Sequence, residues 1–171
     1  LTFEIFTGDR TNYNLVGNPF TAYINSTILT SDNINLLIEK TIWLWNGTTY
    51  IAYNETNPIE ISPAQGFFIH SKNAGNLVFS AANQTHQSKE TFMKNETNNH
   101  IELFVNDIST KIHFIKGKTA GFDNGYDSSI FLASEVDLAI YTEMVSNNKT
   151  KKLAIQTLDN SDIKNIIIPI G

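Results

Sequence analysis

Short runs in which apolar and polar residues alternate constrain the fold of this chain more than any other feature of its sequence. Alternation at every second position gives a β-strand one apolar face, which must be buried against another layer. Asn, Gly and Pro residues separate many of the runs, as turns between short strands require. The runs cover residues 2–6, 13–16, 41–45, 49–53, 66–70, 76–80, 101–105, 111–115, 136–141, 152–157 and 165–170. We therefore predict an all-β fold, a jelly-roll-like antiparallel β-sandwich formed as one body or as two small packed sandwich units.

Residue usage favours strands and turns over helices. The chain has 22 Ile, 21 Asn and 18 Thr among its 171 residues, and β-branched side chains suit strands whereas Asn suits turns. Asn46-Gly47, between two strand-like runs, predicts a hairpin, and residues 73–75 predict a second one. Two stretches are expected to be helical: a short helix capped by residues 31–33 that carries Ile34, Leu37 and Ile38, and a single turn over residues 126–131.

A polar stretch between residues 82 and 100 predicts a boundary between two β-units. Phe92 and Met93 interrupt the polar residues, and we expect them to dock the connection on the core. The first unit is predicted to span residues 1–92 and holds both tryptophans. The second unit is predicted to span residues 93–171.

Charge and motif content exclude several classes of function. With 12 basic and 17 acidic residues the chain has a formal charge of −5, whereas nucleic-acid phosphates attract basic surfaces. No apolar run reaches the ~20 residues of a membrane-spanning helix, and a chain without cysteine forms no disulfide or thiolate metal site. It has no Gly-x-Ser-x-Gly, no phosphate-binding loop, and no His-x-His or His-x-x-x-His pair for zinc. We predict no catalysis, no nucleic-acid partner and no membrane span. The alternative of a catalytic pair of acidic residues that are distant in sequence and meet only in the folded chain stays open.

Several segments follow, in order, a pattern found in a known family. They are NLVGNPF (14–20), IWLWNG (42–47), ISPAQGFFI (61–69) and GFDNGYD (121–127), followed by IIIPIG (166–171). With these motifs the sequence resembles the β-rich module that precedes the C-terminal sorting domain in Bacteroidetes proteins exported by the type nine secretion system. The resemblance implies an extracellular or cell-surface location, with neighbouring domains of the same polypeptide as partners. In that family further strands follow the segment that corresponds to Pro169-Ile170-Gly171, so we expect either that the second sheet lacks strands or that the boundaries differ from those of the family.

Aromatic residues of the first predicted hairpin form the candidate ligand-binding site. Trp43, Trp45 and Tyr53 lie on adjacent strands, and aromatic rings stack on the apolar faces of sugar rings. We assign these three residues to a polysaccharide or cell-surface glycan. Because Trp43 and Trp45 share one face of their strand, burial of that face in the core is the alternative.

The segment 123–127 is the candidate metal site. Asp123, Asn124 and Asp127 supply side-chain oxygens around Gly125, and calcium binds several oxygen ligands at once. We assign these three residues to a structural calcium ion. In the alternative, the carboxylates cap backbone amides of a tight turn without metal.

Other conspicuous residues are assigned to structure. Gly17, Pro19, Gln65 and Gly66 are expected to shape turns next to the core, and Gly66→Val is expected to destabilise the domain if φ is positive at that position. The Asn-x-Ser/Thr sequons reflect the abundance of Asn and Thr; they begin at Asn25, Asn46, Asn54, Asn83, Asn95 and Asn148.

Three functions agree with these features. The first is a non-catalytic accessory module of a secreted or cell-surface bacterial protein, which binds carbohydrate or mediates adhesion. The second is a purely structural spacer beside the sorting domain. The third is a β-sandwich enzyme domain that degrades polysaccharide, which would require two converging acids or a Tyr/His pair with shifted pKa values.

Overall fold

The computed structural model describes residues 1–8, 11–86, 100–132, 138–146, 151–161 and 163–171. Of these residues, 42% lie in strands and 7% in helices. Several antiparallel pairings give the fold a sandwich-like character, and the prediction of an all-β structure is confirmed.

The elements are short, as the spacing of turn residues predicts. In chain order the strands are β1 (Thr2–Ile5), β2 (Tyr13–Gly17), β3 (Tyr23–Asn25), β4 (Ile42–Trp45), β5 (Tyr50–Tyr53), β6 (Glu60–Ile61), β7 (Gly66–His70), β8 (Gly75–Val78), β9 (Gln84–Thr85), β10 (His100–Val105), β11 (Ile108–Phe114), β12 (Ser128–Ser129), β13 (Thr142–Glu143) and β14 (Lys152–Leu158). The helical elements are α1 (Ser26–Asp32) and a 3-10 helix (Ala81–Asn83).

The chain divides into two compact units. One comprises residues 1–45 and 53–91, and the other comprises residues 46–52 and 92–171. The predicted boundary between residues 92 and 93 lies outside the described residues, as do the two side chains expected to dock the connection.

Residues 1–86 form three small sheets. Their strand orders are β2-β7-β4-β5, β6-β3-β9 and β1-β8. In the first sheet β7 is antiparallel to both neighbours, and its register pairs Leu15 with Phe68 on one side and Trp43 with Phe68 on the other. The order also places β4 beside β5, as the hairpin predicted at Asn46-Gly47 requires.

One face of the β2-β7-β4 sheet carries the core of the first unit. Every second residue of these strands is buried there, namely Val16, Ile42, Leu44, Phe67 and Ile69. Other buried apolar side chains complete the cluster: Ile5, Ile24, Leu29, Leu37, Ile61, Leu77 and Phe79. The alternation in the sequence therefore identifies the core face of this sheet.

The helix lies earlier in the chain than predicted. The side chain of Asn25 accepts hydrogen bonds from the backbone N–H groups of Thr27 and Ile28, which caps α1 at its N-terminus. The helix ends at Asp32, so residues 31–33, expected to begin a helix, lie at its end. The prediction was wrong because Asn25 supplies the cap, and burial of Leu29 holds a segment of modest helix propensity against the core.

The second unit is built on a sheet with strand order β10-β11-β14-β12, to which β13 adds by pairing with β14. A tight turn at Asn106, where φ is 53°, joins β10 to β11. The pair β11–β14 is parallel, which differs from the antiparallel pattern expected throughout. A parallel pair needs a long crossover, and residues 115–151 supply one. Ile112, Phe114 and Leu158 form a buried cluster on this sheet.

The hairpin predicted at residues 73–75 is not formed, because β8 pairs with β1 and not with β7. Directly after β7, the Ser71 hydroxyl donates to Phe6 O at 2.7 Å, and the Lys72 N–H donates to Leu36 O at 2.7 Å. These hydrogen bonds direct the chain that follows β7 away from β7. Pairing partners of this kind are set by tertiary contacts that a turn motif does not contain.

Two other local predictions were wrong. Residues 126–131, expected to form a helical turn, contain a non-helical turn that leads into β12. The alternating segment 165–170 has no strand and makes a single isolated bridge between Ile170 and Thr142. In the segment 136–141 the residues up to 137 lie outside the described part of the chain, and the rest form no strand.

Candidate functional site

The two tryptophans of β4 have opposite exposure although they share a strand face. Trp43 is fully buried, whereas 56% of Trp45 is exposed. The ring of Tyr13 packs edge-on against Trp43 with 5.2 Å between centroids, and His70 packs against it at 6.5 Å. Trp43 is therefore a buried side chain covered by these two rings, and the rings of Trp43 and Trp45 do not form a common exposed platform.

Trp45 lies on the face of the β2-β7-β4 sheet opposite the hydrophobic core, which we call the non-core face. Its members are Tyr13, Leu15, Gly17, Trp43, Trp45, Gly66, Phe68 and His70, as the alternation and the register require. Leu15 is 66% exposed, and Phe68 is partly buried between Leu15 and Trp43. The part of the non-core face at Leu15 and Trp45 is therefore apolar and open to solvent.

Two glycines leave open space beside Trp45. Gly17 pairs with Gly66. Continuing the antiparallel register by two residues from the Trp43–Phe68 pair brings Trp45 opposite Gly66. A Cβ on Gly66 would lie 3.6 Å from Leu15 Cδ1 and 3.8 Å from Val16 O, which are ordinary contacts. The glycine pair thus forms a floor without side chains between two exposed apolar side chains, Leu15 and Trp45.

Tyr53, the third predicted ligand-binding residue, lies elsewhere. Its ring is partly buried and packs against the hydrophobic core of the first unit. Burial raises the pKa of its phenol above the usual value. Of the three predicted aromatic residues, only Trp45 offers a largely exposed ring.

A polar cluster lies at the other end of the non-core face. The rings of Tyr13 and His70 stack with centroids 4.2 Å apart and an interplanar angle of 11°. Glu39 is fully buried, and its Oε1 lies 3.5 Å from His70 Nδ1. Burial, and secondarily the charge of Glu39, raises the pKa of Tyr13 well above its ordinary value. The phenol therefore stays protonated even at mildly alkaline pH, and its hydroxyl can donate or accept a hydrogen bond.

The carboxylates of the predicted calcium site are engaged with the backbone. Asp123 Oδ2 accepts a hydrogen bond from Thr119 N at 2.6 Å. Asp127 Oδ2 accepts one from Asp123 N at 2.6 Å, and Asp127 Oδ1 accepts one from Thr157 N. This is the geometry of the amide-capped alternative, whereas the side chain of Asn124 lies at the exposed tip of the turn.

Asp127 is fully buried although it carries a carboxylate. Burial raises its pKa to about 7, and the negative charge of Asp123 acts in the same direction. The N–H groups of Asp123 and Thr157, together with the charge of Lys151, oppose this shift. Asp127 therefore ties the turn to β14 at the cost of burying a carboxyl group.

No family model, curated protein or solved structure matches this chain. Among the described residues, no helix is both long and apolar enough to cross a membrane. The same part of the chain contains no group of three or more His, Asp or Glu side chains arranged to hold a metal ion.

The turn predicted around Asn18 contains a buried amide group that the sequence analysis did not anticipate. Asn18 is 4% exposed, and its Nδ2 lies 2.9–3.1 Å from the carbonyl oxygens of Ala22, Ile61 and Ser62. Its position between Gly17 and Pro19 was the available signal, because buried Asn side chains often replace backbone partners in turns.

The left-handed backbone position near this turn is not at Gly66. It belongs to Ala64, with a φ of 58°, and Gly66 has no positive φ. The condition under which Gly66→Val was expected to destabilise the domain is therefore not met.

Several sequons have a structural role in turns. Asn46 Oδ1 accepts hydrogen bonds from the N–H groups of Thr48 and Thr49, and Asn54 Oδ1 accepts one from Thr56 N. Asn25 caps α1 in the same manner. At these positions the Asn-x-Thr pattern encodes a side-chain cap on the local backbone.

Proposed function

We propose that this chain is a non-catalytic accessory module that binds polysaccharide or a cell-surface glycan through Trp45. The observation that carries the proposal is the exposed Trp45 ring beside the Gly17–Gly66 floor. A pyranose stacked on Trp45 would extend over the two glycines toward Leu15. Its apolar face would contact the indole, and its hydroxyls would stay hydrated on the side that faces the solvent.

The charge of the non-core face favours a neutral glycan. None of its eight members is Asp, Glu, Lys or Arg. A site for uronates or sulfated sugars would carry Arg or Lys to pair with the anionic groups. The proposed ligands are therefore neutral polysaccharides with flat, equatorially substituted sugars.

Affinity electrophoresis tests this proposal directly. The chain is run in gels that contain neutral polysaccharides, such as xylan, glucomannan or a soluble cellulose derivative, and in gels with alginate or pectin. We expect at least one neutral polysaccharide to retard the chain, and Trp45→Ala to weaken binding by about tenfold or more. Phe104→Ala is the matched control, because Phe104 is a similarly exposed ring in the second unit.

A second substitution separates binding from folding. Gly66→Val fills the floor beside Trp45, yet its Cβ meets only ordinary contacts. We expect it to abolish retardation while the melting temperature stays close to that of the unmodified chain. Gly8→Val is the matched control, since nothing lies within 4 Å of a Cβ at that position. If no polysaccharide retards the chain, the spacer alternative is the better assignment.

The polar cluster of Tyr13, His70 and Glu39 is the observation that favours the enzyme alternative. It unites a phenol, an imidazole and a buried carboxylate, as a polysaccharide-degrading site requires. However, the two rings stack face to face, which is a packing arrangement and does not align a donor with an acceptor. We expect no product from any tested polysaccharide. Turnover that is abolished by Glu39→Gln would establish the enzyme instead.

Export to the cell surface or the medium is part of the same proposal. Its support is the ordered set of motifs that resembles the type nine secretion module. A glycan-binding module is useful where polysaccharide is found, and its partners there include neighbouring domains of the same polypeptide. Fractionation of the producing cells tests the location, and recovery of the chain only from the cytoplasm would contradict it.

A further inference from the structure

A pair of histidines in the second unit has no role in the proposed glycan site. His100 and His113 lie directly opposite each other on the antiparallel strands β10 and β11. Their ring centroids are 5.3 Å apart, and the ring planes differ by 25°. No sequence motif indicates this pair, because strand register rather than close spacing brings the two rings together.

His113 is the more unusual member of the pair. It is 6% exposed, and neither Nδ1 nor Nε2 has a hydrogen-bond partner. Buried polar atoms are almost always paired, and an unpaired one requires an explanation such as a functional role or a bound ion. The His113 ring therefore has two nitrogens that could donate or accept a hydrogen bond and that form none within the fold.

The separation of the two rings fits a shared metal ion. Imidazole nitrogen lies about 2.0–2.1 Å from a divalent transition metal, so the ring centres of two imidazoles on one tetrahedral ion are about 5 Å apart. The observed 5.3 Å shows that the two rings lie within the range of one shared ion. The rings are near-parallel, so binding requires them to turn about their side-chain bonds until one nitrogen of each points at the ion; of the two, His100 is the exposed side chain.

The charges around the pair indicate the class of ion. Glu102 and Lys111 pair directly across the same strands, two residues from the histidines and on the same face. Lys111 Nζ lies 3.9 Å from Glu102 Oε1, and the hydroxyl of Ser109 donates to that same oxygen at 2.6 Å. Because these charges balance, ligation depends on the imidazoles, which prefer zinc, copper or nickel over calcium or magnesium.

We propose that His100 and His113 chelate a divalent transition-metal ion, with water as the remaining ligands. Two protein ligands make an exchangeable site, weaker than one with three or four. Metal binding would join β10 and β11 through their side chains and would use the nitrogens of His113 that otherwise have no partner.

Thermal unfolding with zinc chloride and with a chelator tests the proposal. At zinc concentrations well above the dissociation constant, the melting temperature is expected to rise by about 5 °C or more. The rise should be lost in His100→Gln, which changes an exposed side chain, and retained in His86→Gln, which changes an exposed histidine of the first unit.

A titration followed by proton NMR identifies the ligands. The chain has four histidines, and zinc is expected to shift the ring signals of only two of them, one of which disappears from the spectrum of His100→Gln. The proposal is overturned if zinc leaves the melting temperature unchanged, or if His100→Gln responds to zinc as the unmodified chain does.

Discussion

Asn18 connects three stretches of backbone through one buried amide group. Its Nδ2 lies near the carbonyl oxygens of Ala22, Ile61 and Ser62, and its Oδ1 accepts a hydrogen bond from Phe20 N at 3.0 Å. Removing this side chain takes one hydrogen-bond partner from each of these backbone groups, of which Ser62 O keeps another, the N–H of Gln65 at 3.1 Å. A buried group left without a partner costs more free energy than a typical hydrogen bond contributes.

We predict that Asn18→Ala lowers the free energy of unfolding by about 2–4 kcal/mol. Asn76→Ala is the matched control, because Asn76 is an exposed asparagine in β8 and should change stability by less than about 0.5 kcal/mol. Urea unfolding followed by circular dichroism measures both values. Equal midpoints for the two variants would show that the amide contacts of Asn18 contribute nothing.

Two buried groups of the second unit respond to pH in opposite directions. Burial raises the pKa of Asp127 from 3.8 to about 7, so the folded chain holds a proton there that the unfolded chain has lost. Its contribution to stability therefore increases as pH falls from about 7 to 4. Burial lowers the pKa of His113 from 6.5 to about 4, with His100 and Lys111 acting in the same direction and Glu102 against it. The contribution of His113 is complete above pH 6.5 and is lost as pH falls toward 4.

We predict that these opposing effects flatten the stability profile between pH 4 and 7, and that single substitutions reveal each one. Relative to the unmodified chain, Asp127→Asn should lose stability as pH falls through this range, and His113→Gln should gain it. Each slope is bounded by about 1.4 kcal/mol per pH unit. Melting temperatures in chelator, taken at half-unit steps of pH, measure the differences; parallel profiles for all three proteins would contradict the assignment.

At the scale of single residues, the sequence predicted which face of a strand a side chain lies on. It predicted less well whether that side chain is exposed to solvent. Alternation correctly placed Trp43 and Trp45 on one face of β4, but it could not show that Tyr13 and His70 cover only one of them. Burial depends on the packing of residues distant in sequence, which a local pattern does not contain.

Among the elements, the turn at residues 123–127 allows the sharpest test. Its carboxylates accept hydrogen bonds from backbone N–H groups, and Lys151 already supplies a positive charge near Asp127. We predict that melting curves with millimolar calcium and with chelator superimpose. A stabilisation by calcium that disappears in Asp123→Asn would instead establish the predicted calcium site.

Most strands could be predicted from period-two alternation, and the pairing of β8 and the position of α1 could not. The segment around residues 73–75 has the composition of a hairpin turn, yet bonds from Ser71 and Lys72 direct β8 to β1. Similarly, residues 165–170 alternate as a strand does but make only one bridge. Strand formation is local in origin, whereas pairing is decided by the whole fold.

For the whole molecule, the class of fold followed from composition and periodicity, because few other folds bury so many alternating β-branched residues. The candidate glycan site could be predicted from the sequence only in part. The sequence identified the aromatic strand, and the structure reduced three candidate rings to the exposed Trp45 and added the floor of Gly17 and Gly66. That floor depends on strand register, so no linear motif reports it.

The most direct test of the glycan-binding proposal uses the fact that the chain has two tryptophans. Its proton–nitrogen correlation spectrum should contain two indole N–H signals, which Trp45→Ala assigns. Titration with oligosaccharides of the polysaccharide that retards the chain should shift the signal of Trp45 and leave that of the buried Trp43 nearly unchanged. An unchanged Trp45 signal at saturating ligand would contradict the proposal that this chain binds glycans through its non-core face.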